Sequence, residues 1–354
     1  MIYINGLDAQ HCKNDGIDAF SVTPHNPAFS VVSGNGVSDF NNGNAEFNPA
    51  NAAVVIGNNT ITYTYSDVSG CVNVVTKDVA IGAVPVADFT GLNAGLAYCV
   101  DAANVTLTGN YAPAGTFSGP GITDLGNGTA TFSPSSLVAG STYNITYSYT
   151  TGMGCSDSEV KTVTIHALPT AFAVTGGGTY CEGGAGEEIG LSNSGNNVNY
   201  QLYRNGISLN PAGLVAGTGS DITFGNQVQD GIYTVVATGA LTGCSQTMTG
   251  SATVLIDPLP LAAQPITGLN VVCQGSTQTY SVPIIANATS YMWSLPVGAS
   301  ISAGAGTNSI TIVFSTVAVS GILRVYGKND CGVGTEATKA ITVNPLPEIG
   351  RAHV

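Results

Sequence analysis

The chain has 354 residues, of which 44% are hydrophobic and only 8% are charged, with 46 glycines. This composition excludes coiled coils and long surface helices, which need many charged residues, and disordered chains, which have too few apolar residues to bury a core. The 21 acidic residues outnumber the 8 basic ones and give a net charge of −13, which excludes nucleic-acid binding because phosphates need clustered Lys and Arg.

The spacing of cysteine and proline indicates four tandem repeats. Eight cysteines fall into four consecutive pairs, and both members of a pair recur after about 87 residues, together with a proline that closes each copy. The cysteines are Cys12, Cys71, Cys99, Cys155, Cys181, Cys244, Cys273 and Cys331. The predicted domains are repeat 1 at residues 1–84, repeat 2 at 85–168, repeat 3 at 169–259 and repeat 4 at 260–347.

Within each repeat the residue pattern predicts short strands. Apolar residues alternate with threonine or serine in Ile61–Tyr65 of repeat 1 and in Ile145–Tyr149 of repeat 2, as in a strand with one buried face. Asn205-Gly206 in repeat 3 predicts a two-residue hairpin, and Trp293 in repeat 4 is predicted on a third strand that packs across two sheets. About seven strands in fewer than 90 residues predict an all-β array of tandem immunoglobulin-like antiparallel β-sandwiches.

The linkers between the predicted repeats are short and contain proline, at residues 83–86, 167–170 and 258–260. Proline restricts itself and the residue before it to extended conformations. We therefore expect limited bending between neighbouring repeats.

An even, paired set of eight cysteines in such a chain predicts four disulfides and an oxidising, extracellular compartment. Pairing within each repeat is the preferred arrangement: Cys12–Cys71, Cys99–Cys155, Cys181–Cys244 and Cys273–Cys331. In a standard sandwich, however, the two cysteines of one repeat would lie at opposite ends, and a disulfide needs Cα atoms within about 7 Å. The alternative is a staple, meaning a disulfide that joins two neighbouring repeats, as in Cys12–Cys155.

No sequence motif predicts catalysis or a cofactor. The four histidines have unrelated contexts, and the acidic pairs Asp157/Glu159 and Glu187/Glu188 are interpreted as solvated surface carboxylates. Calcium is the one cation considered, with Asp88, Asp124 and Asp257 near linkers or loops, but the clustered acids of a calcium loop are missing. We expect no resident cofactor, with a bound calcium ion as the alternative.

Several stretches resemble the PKD-like and related immunoglobulin-like repeats of large surface proteins from Bacteroidetes. These stretches are Gly115–Gly121, Ile145–Tyr149 with Gly154-Cys155, Ala167–Pro169, Asn199–Gly206, and Tyr291–Trp293 with Asn329–Gly332. The resemblance implies cell-surface proteins that are exported by type IX secretion, usually with a signal peptide and a C-terminal sorting domain. Neither segment is recognised in this sequence.

Both ends of the sequence are interpreted as cut. Repeat 1 lacks most of the stretch that precedes the first cysteine in the other repeats, so it is predicted to be truncated at its N-terminus. Residues 348–354 differ from every repeat start and resemble a translated sequencing adapter. They are predicted to be a non-native tail, and the alternative is a natural tail.

The functional prediction is a non-catalytic extracellular segment that serves as a stalk, spacer or adhesin region of a bacterial surface protein. Its expected partners are an unidentified surface, glycan or protein ligand and further repeats of the same chain. No apolar run of about 18 residues occurs, so membrane insertion is not expected. The alternative is an accessory region of a larger secreted enzyme that contacts carbohydrate. Tyr200 and Tyr203 are its candidate exposed aromatic residues, and their spacing fits core residues equally well.

Overall fold

The computed structural model describes residues 1–347, which form two compact units, Met1–Leu168 and a second unit that begins at Pro169. Within the described residues every regular element is a β-strand except one 3₁₀ turn, Pro134–Ser136. The tail predicted at residues 348–354 lies outside the described residues.

The first unit contains two β-sandwiches with the same strand order. Repeat 1 is formed by β1 Tyr3–Asn5, β2 Gln10–Cys12, β3 Asp18–Thr23, β4 Ser30–Ser33, β5 Val37–Asp39, β6 Asn44–Phe47, β7 Gly57–Ser66 and β8 Val72–Gly82. One sheet has the order β1-β3-β6-β5 and the other β2-β8-β7-β4. The first strand, β1, pairs with β3.

Repeat 2 repeats this topology strand for strand. Its elements are β9 Phe89–Thr90, β10 Ala97–Cys99, β11 Val105–Gly109, β12 Thr116–Ser118, β13 Ile122–Asp124, β14 Thr129–Phe132, β15 Ser141–Thr150 and β16 Ser156–His166. The two sheets have the orders β13-β14-β11-β9 and β10-β16-β15-β12.

The second unit also contains two sandwiches. Repeat 3 is formed by β17 Val174–Gly176, β18 Gly178–Cys181, β19 Glu187–Leu191, β20 Val198–Arg204, β21 Ile207–Ser208, β22 Leu214–Ala216, β23 Ile222–Gln227, β24 Gly231–Gly239, β25 Ser245–Thr247 and β26 Ala252–Asp257. Its sheets run β17-β19-β23 and β18-β26-β24-β20-β21, with β22 and β25 as additional partners. The predicted hairpin is confirmed, because Arg204 pairs with Ile207 across Asn205-Gly206.

Repeat 4 is formed by β27 Val271–Cys273, β28 Thr277–Ser281, β29 Ser290–Ser294, β30 Ala299–Ala303, β31 Ser309–Phe314, β32 Gly321–Asn329, β33 Gly332–Val333 and β34 Ala337–Asn344. Its sheets run β27-β34-β32-β29 and β28-β31-β30. Trp293 lies on β29 as predicted, partly buried against the core, and its indole N–H donates to the Thr307 carbonyl at 2.9 Å.

The core of each repeat lies between its two sheets and is built by alternating side chains. In repeat 1, Ile61 and Tyr63 of β7 are fully buried against Phe20 of β3 and Phe47 of β6, from the opposite sheet. The equivalent side chains Ile145 and Tyr147 of repeat 2 are also fully buried. The period of two in the sequence therefore places apolar side chains on the inner face, as expected for sandwiches.

Candidate functional site: the junctions between repeats

The first cysteine of every repeat ends a short strand that runs parallel to the last strand of the same repeat. This pairing opposes Cys12 to Gly82, Cys99 to His166, Cys181 to Asp257 and Cys273 to Asn344. The first cysteine therefore lies where the chain leaves the repeat. In repeats 1 and 2, the second cysteine directly precedes the last strand and so lies at the opposite end.

This geometry overturns the preferred pairing within repeats. The last strand of repeat 1 has 11 residues, which at about 3.3 Å per residue separates Cys12 from Cys71 by roughly 35 Å. The structure instead joins Cys12 to Cys155 and Cys181 to Cys331, with Cα–Cα distances of 5.4 and 5.2 Å. Each of these disulfides links the exit end of one repeat to the entry end of the next.

The prediction that all eight cysteines form disulfides also needs correction. Cys99 and Cys244 are disulfide-bonded cysteines as well. Cys71 and Cys273 are free and exposed in the described part of the chain.

Gly82 makes room for the disulfide in the first unit. A Cβ atom at this position would lie 2.6 Å from the Sγ of Cys155 and 3.4 Å from the Cβ of Met153. The sulfur is held by its bond to Cys12 and cannot easily move aside. The last residue of β8 is therefore glycine for a steric reason, since the incoming hairpin packs directly on its backbone.

The linker that follows Gly82 is held by hydrogen bonds from repeat 2. The Ala87 N–H donates to the Asp157 carboxylate at 2.8 Å, and the Val86 carbonyl accepts from the Asn110 side chain at 2.8 Å. The Lys161 ammonium lies 2.8 Å from the Asp88 carboxylate and 4.5 Å from the Phe89 ring. The hydrogen bond from Lys161 holds the pKa of Asp88 below its usual value of 3.8.

Asn329 holds the linker in the second unit. Its buried side-chain amide donates to the Pro258 carbonyl at 2.8 Å and to the Asn287 carbonyl at 3.0 Å. Its amide oxygen accepts the N–H groups of Cys331 at 3.0 Å and Gly332 at 3.1 Å. One side chain thus connects the linker, a neighbouring loop and the turn that carries the bonded cysteine.

A carboxylate lies close to the disulfide of the second unit. The carboxylate of Asp257, which occupies the position that Gly82 has in repeat 1, lies 3.6 Å from the Sγ of Cys331. A carboxylate at this distance disfavours a neighbouring thiolate, the form that exchanges disulfides.

The candidate acidic residues do not converge on one site. Asp88 pairs with Lys161, Asp124 accepts the Gly126 N–H at 3.3 Å, and Asp257 faces Cys331. Residues 1–347 contain no cluster of three or more His, Cys, Asp or Glu side chains that could hold a metal ion.

The remaining carboxylates and histidines are also dispersed. Asp157 is used by the linker, whereas Glu188 lines an open cavity of about 580 Å³ together with Asp221. The buried His11 places its Nε2 3.2 Å from Asp18, and His25 contacts the Ser30 hydroxyl at 3.0 Å.

The aromatic residues considered for carbohydrate contact do not form an exposed platform. Tyr200 is fully buried, and its hydroxyl accepts the Gly195 N–H at 2.8 Å. Tyr203 is half-buried on β20. Of the two alternatives for Tyr200, an exposed aromatic residue or a core residue, the structure shows the core residue, because its place in the alternation of β20 is on the core face.

Sequence reasoning missed Gly82, Asn329 and Lys161, which lie at or beside the junctions between repeats. Their signals are weak, since a single glycine, asparagine or lysine is ordinary in such a chain.

No helix found in residues 1–347 combines the length and the apolar character that crossing a membrane would require.

Comparison with known protein families gives a match for the last sandwich. Residues 259–343 match the PKD-like domain family. The chain matches no curated protein.

The solved structures that match this chain share little sequence with it. A Ca²⁺-stabilised adhesin with which an Antarctic bacterium binds ice has 15% identity and a TM-score of 0.31, covering 97% of this chain and 99% of its own. The I67–I69 fragment of titin has 14% identity and a TM-score of 0.36, with 73% and 98% covered. The N-terminal eight Ig domains of Down Syndrome Cell Adhesion Molecule have 13% identity and a TM-score of 0.37, with 97% and 49% covered.

Proposed function

We propose that this chain is a non-catalytic extracellular segment of a bacterial surface protein, in which disulfide-stapled β-sandwiches act as a load-bearing spacer or adhesin stalk. The observation that carries the proposal is that the described disulfides join successive repeats, whereas a disulfide that only stabilised a domain would close within it. Disulfides of this kind persist in oxidising compartments outside the cytosol. The PKD-like match of residues 259–343 is consistent with this setting.

The staples change how the chain responds to a pulling force. The Cys12–Cys155 and Cys181–Cys331 bonds span sequence separations of 143 and 150 residues. A force applied at the termini passes through the disulfides and bypasses the polypeptide between them. At about 3.5 Å per extended residue, each staple withholds roughly 500 Å of chain from extension.

Single-molecule pulling tests the proposal. We expect the oxidised chain to release little additional length on stretching, and the fully reduced chain to release roughly 500 Å more for each described staple, in steps that correspond to sandwiches. Cys71→Ser is the matched control, because it removes a cysteine outside the described disulfides and is expected to pull like the parent chain. Equal extension of the oxidised and reduced chains would contradict a load-bearing role.

A further inference from the structure

Two exposed cysteines lie at the positions that form staples elsewhere in the chain. Cys71 is the second cysteine of repeat 1, and Cys273 is the first cysteine of repeat 4. In the described disulfides a first cysteine always bonds to the second cysteine of another repeat. Cys273, a first cysteine, and Cys71, a second cysteine, are therefore the two types of cysteine that bond to each other in the described disulfides.

The local structure around Cys273 matches that of the bonded first cysteines. Cys273 ends a strand parallel to β34, and the next residue donates its N–H to the Asn344 carbonyl at 3.0 Å. The bonded Cys12 and Cys181 are followed by the same contact, to Gly82 and Asp257, at 3.0 Å in each case. The backbone around Cys273 therefore already has the conformation that the bonded first cysteines have.

The turn around Cys71 matches that of Cys155. In repeat 1 the Asp67 N–H donates to the Cys71 carbonyl at 3.0 Å, and the Asp67 side chain accepts the Cys71 N–H at 2.9 Å. In repeat 2 the Thr151 N–H and hydroxyl make the same two contacts with Cys155, at 2.8 and 3.1 Å. Cys155 is bonded in this conformation.

The residue facing the exposed Cys273 permits an incoming hairpin. Asn344 occupies the position of Gly82 in repeat 1 and of Asp257 in repeat 3. It is uncharged, so it does not repel the Asp67 carboxylate on the hairpin of Cys71. A polar side chain at this position is compatible with a bond, as Asp257 shows beside Cys331.

We propose that Cys273 and Cys71 are the two halves of an intermolecular staple, and that copies of this chain join head to tail through a Cys273–Cys71 disulfide. Two thiols give up two protons and two electrons as the bond forms, and a disulfide oxidant such as oxidised glutathione accepts them and becomes two thiols. Because the two surfaces differ, the contact is heterologous and adds copies in one direction. The inference rests on the described staples and does not require the spacer role.

The test mixes two single variants under a glutathione redox buffer, with products separated on non-reducing gels. Cys71→Ser retains only the Cys273 half, and Cys273→Ser retains only the Cys71 half. Each variant alone is expected to stay monomeric, whereas the mixture gives a dimer and stops there. The parent chain is expected to give a ladder of multiples of 35.6 kDa, and the double variant is expected to stay monomeric.

Two results would overturn the proposal. Homodimers of a single variant that form within a few-fold of the mixed dimer would show that the thiols oxidise without complementarity. Absence of the mixed dimer, with both variants folded by circular dichroism and both thiols titratable, would show that the halves do not fit between copies. Mass spectrometry of the dimer must recover a peptide in which Cys273 is joined to Cys71. Any other linkage between the two chains counts against the proposal. Neither result bears on the pulling experiment, whose outcome depends on the disulfides within the chain.

Discussion

At the scale of single residues, the junctions depend on residues that contact the neighbouring repeat or the linker. The side-chain amide of Asn329 donates hydrogen bonds to the linker and to a neighbouring loop. Its oxygen accepts a hydrogen bond from the turn that carries Cys331. Gly82 contributes by having no side chain at all. Neither residue belongs to the apolar core of its repeat.

Replacing Asn329 by alanine tests its role. Asn329→Ala leaves the Pro258 and Asn287 carbonyls and the Cys331 N–H without their partner, and buried polar groups without partners cost about 1–3 kcal/mol. We expect a free energy of unfolding lower by about 2–3 kcal/mol in urea titrations. Asn226→Ala, at an exposed position of the same unit, is the control, and an equal loss in both variants would contradict the assignment.

Replacing Gly82 by alanine tests the steric requirement at the first staple. The added Cβ would overlap the Sγ of Cys155, and overpacking of this kind costs about 1–3 kcal/mol. We expect a lower equilibrium yield of the Cys12–Cys155 peptide in glutathione buffers. Gly152→Ala adds a methyl group to the same hairpin as Cys155, in open space. It should leave the yield unchanged, and parallel losses in both variants would refute the steric argument.

At the scale of elements, buried tyrosines tie the sandwich strands to nearby loops. The Tyr147 hydroxyl on β15 donates to the Ala114 carbonyl at 3.0 Å, and the Tyr233 hydroxyl on β24 donates to the Gln229 carbonyl at 2.7 Å. Tyr280 on β28 reaches the Leu269 carbonyl at 2.8 Å. Burial raises the pKa of all three hydroxyls above the ordinary value of 10.0.

These tyrosines predict loss of stability in alkali. The raised pKa means that the folded state binds the phenolic proton more tightly than the unfolded state. The stabilisation is therefore complete below pH 10 and is lost as pH rises through the folded pKa. We expect the urea midpoint of the thiol-alkylated protein to fall above pH 10, and Tyr147→Phe to weaken that dependence in repeat 2. A midpoint that stays constant in alkali would contradict this account.

At the scale of the whole molecule, the staples should dominate stability. Closing loops of 143 and 150 residues is worth about 5 kcal/mol each in the chain-entropy model. A substitution removes this stabilisation only if its cysteine belongs to a disulfide. Measured stabilities of cysteine variants therefore distinguish pairing between repeats from pairing within a repeat.

Cysteine variants test the pairing directly. Cys12→Ser and Cys155→Ser should lower the free energy of unfolding by similar amounts, up to about 5 kcal/mol. Cys71→Ser should leave it unchanged, because Cys71 lies outside the described disulfides. Pairing within the repeat would give the opposite pattern, in which Cys71→Ser and Cys12→Ser match.

The fold class, the strand pattern and the position of the cysteines within each repeat could be predicted from the amino-acid sequence alone. These features are local, since the alternation of Ile61, Tyr63 and Tyr65 or the turn at Asn205-Gly206 is encoded by neighbouring residues. The partners of the cysteines depend on how the strands pack in three dimensions. The short strand that ends in Cys12 lies parallel to β8, so its cysteine reaches the next repeat. Parallel pairing between distant segments leaves no local signal, and the roles of Gly82 and Asn329 follow from it.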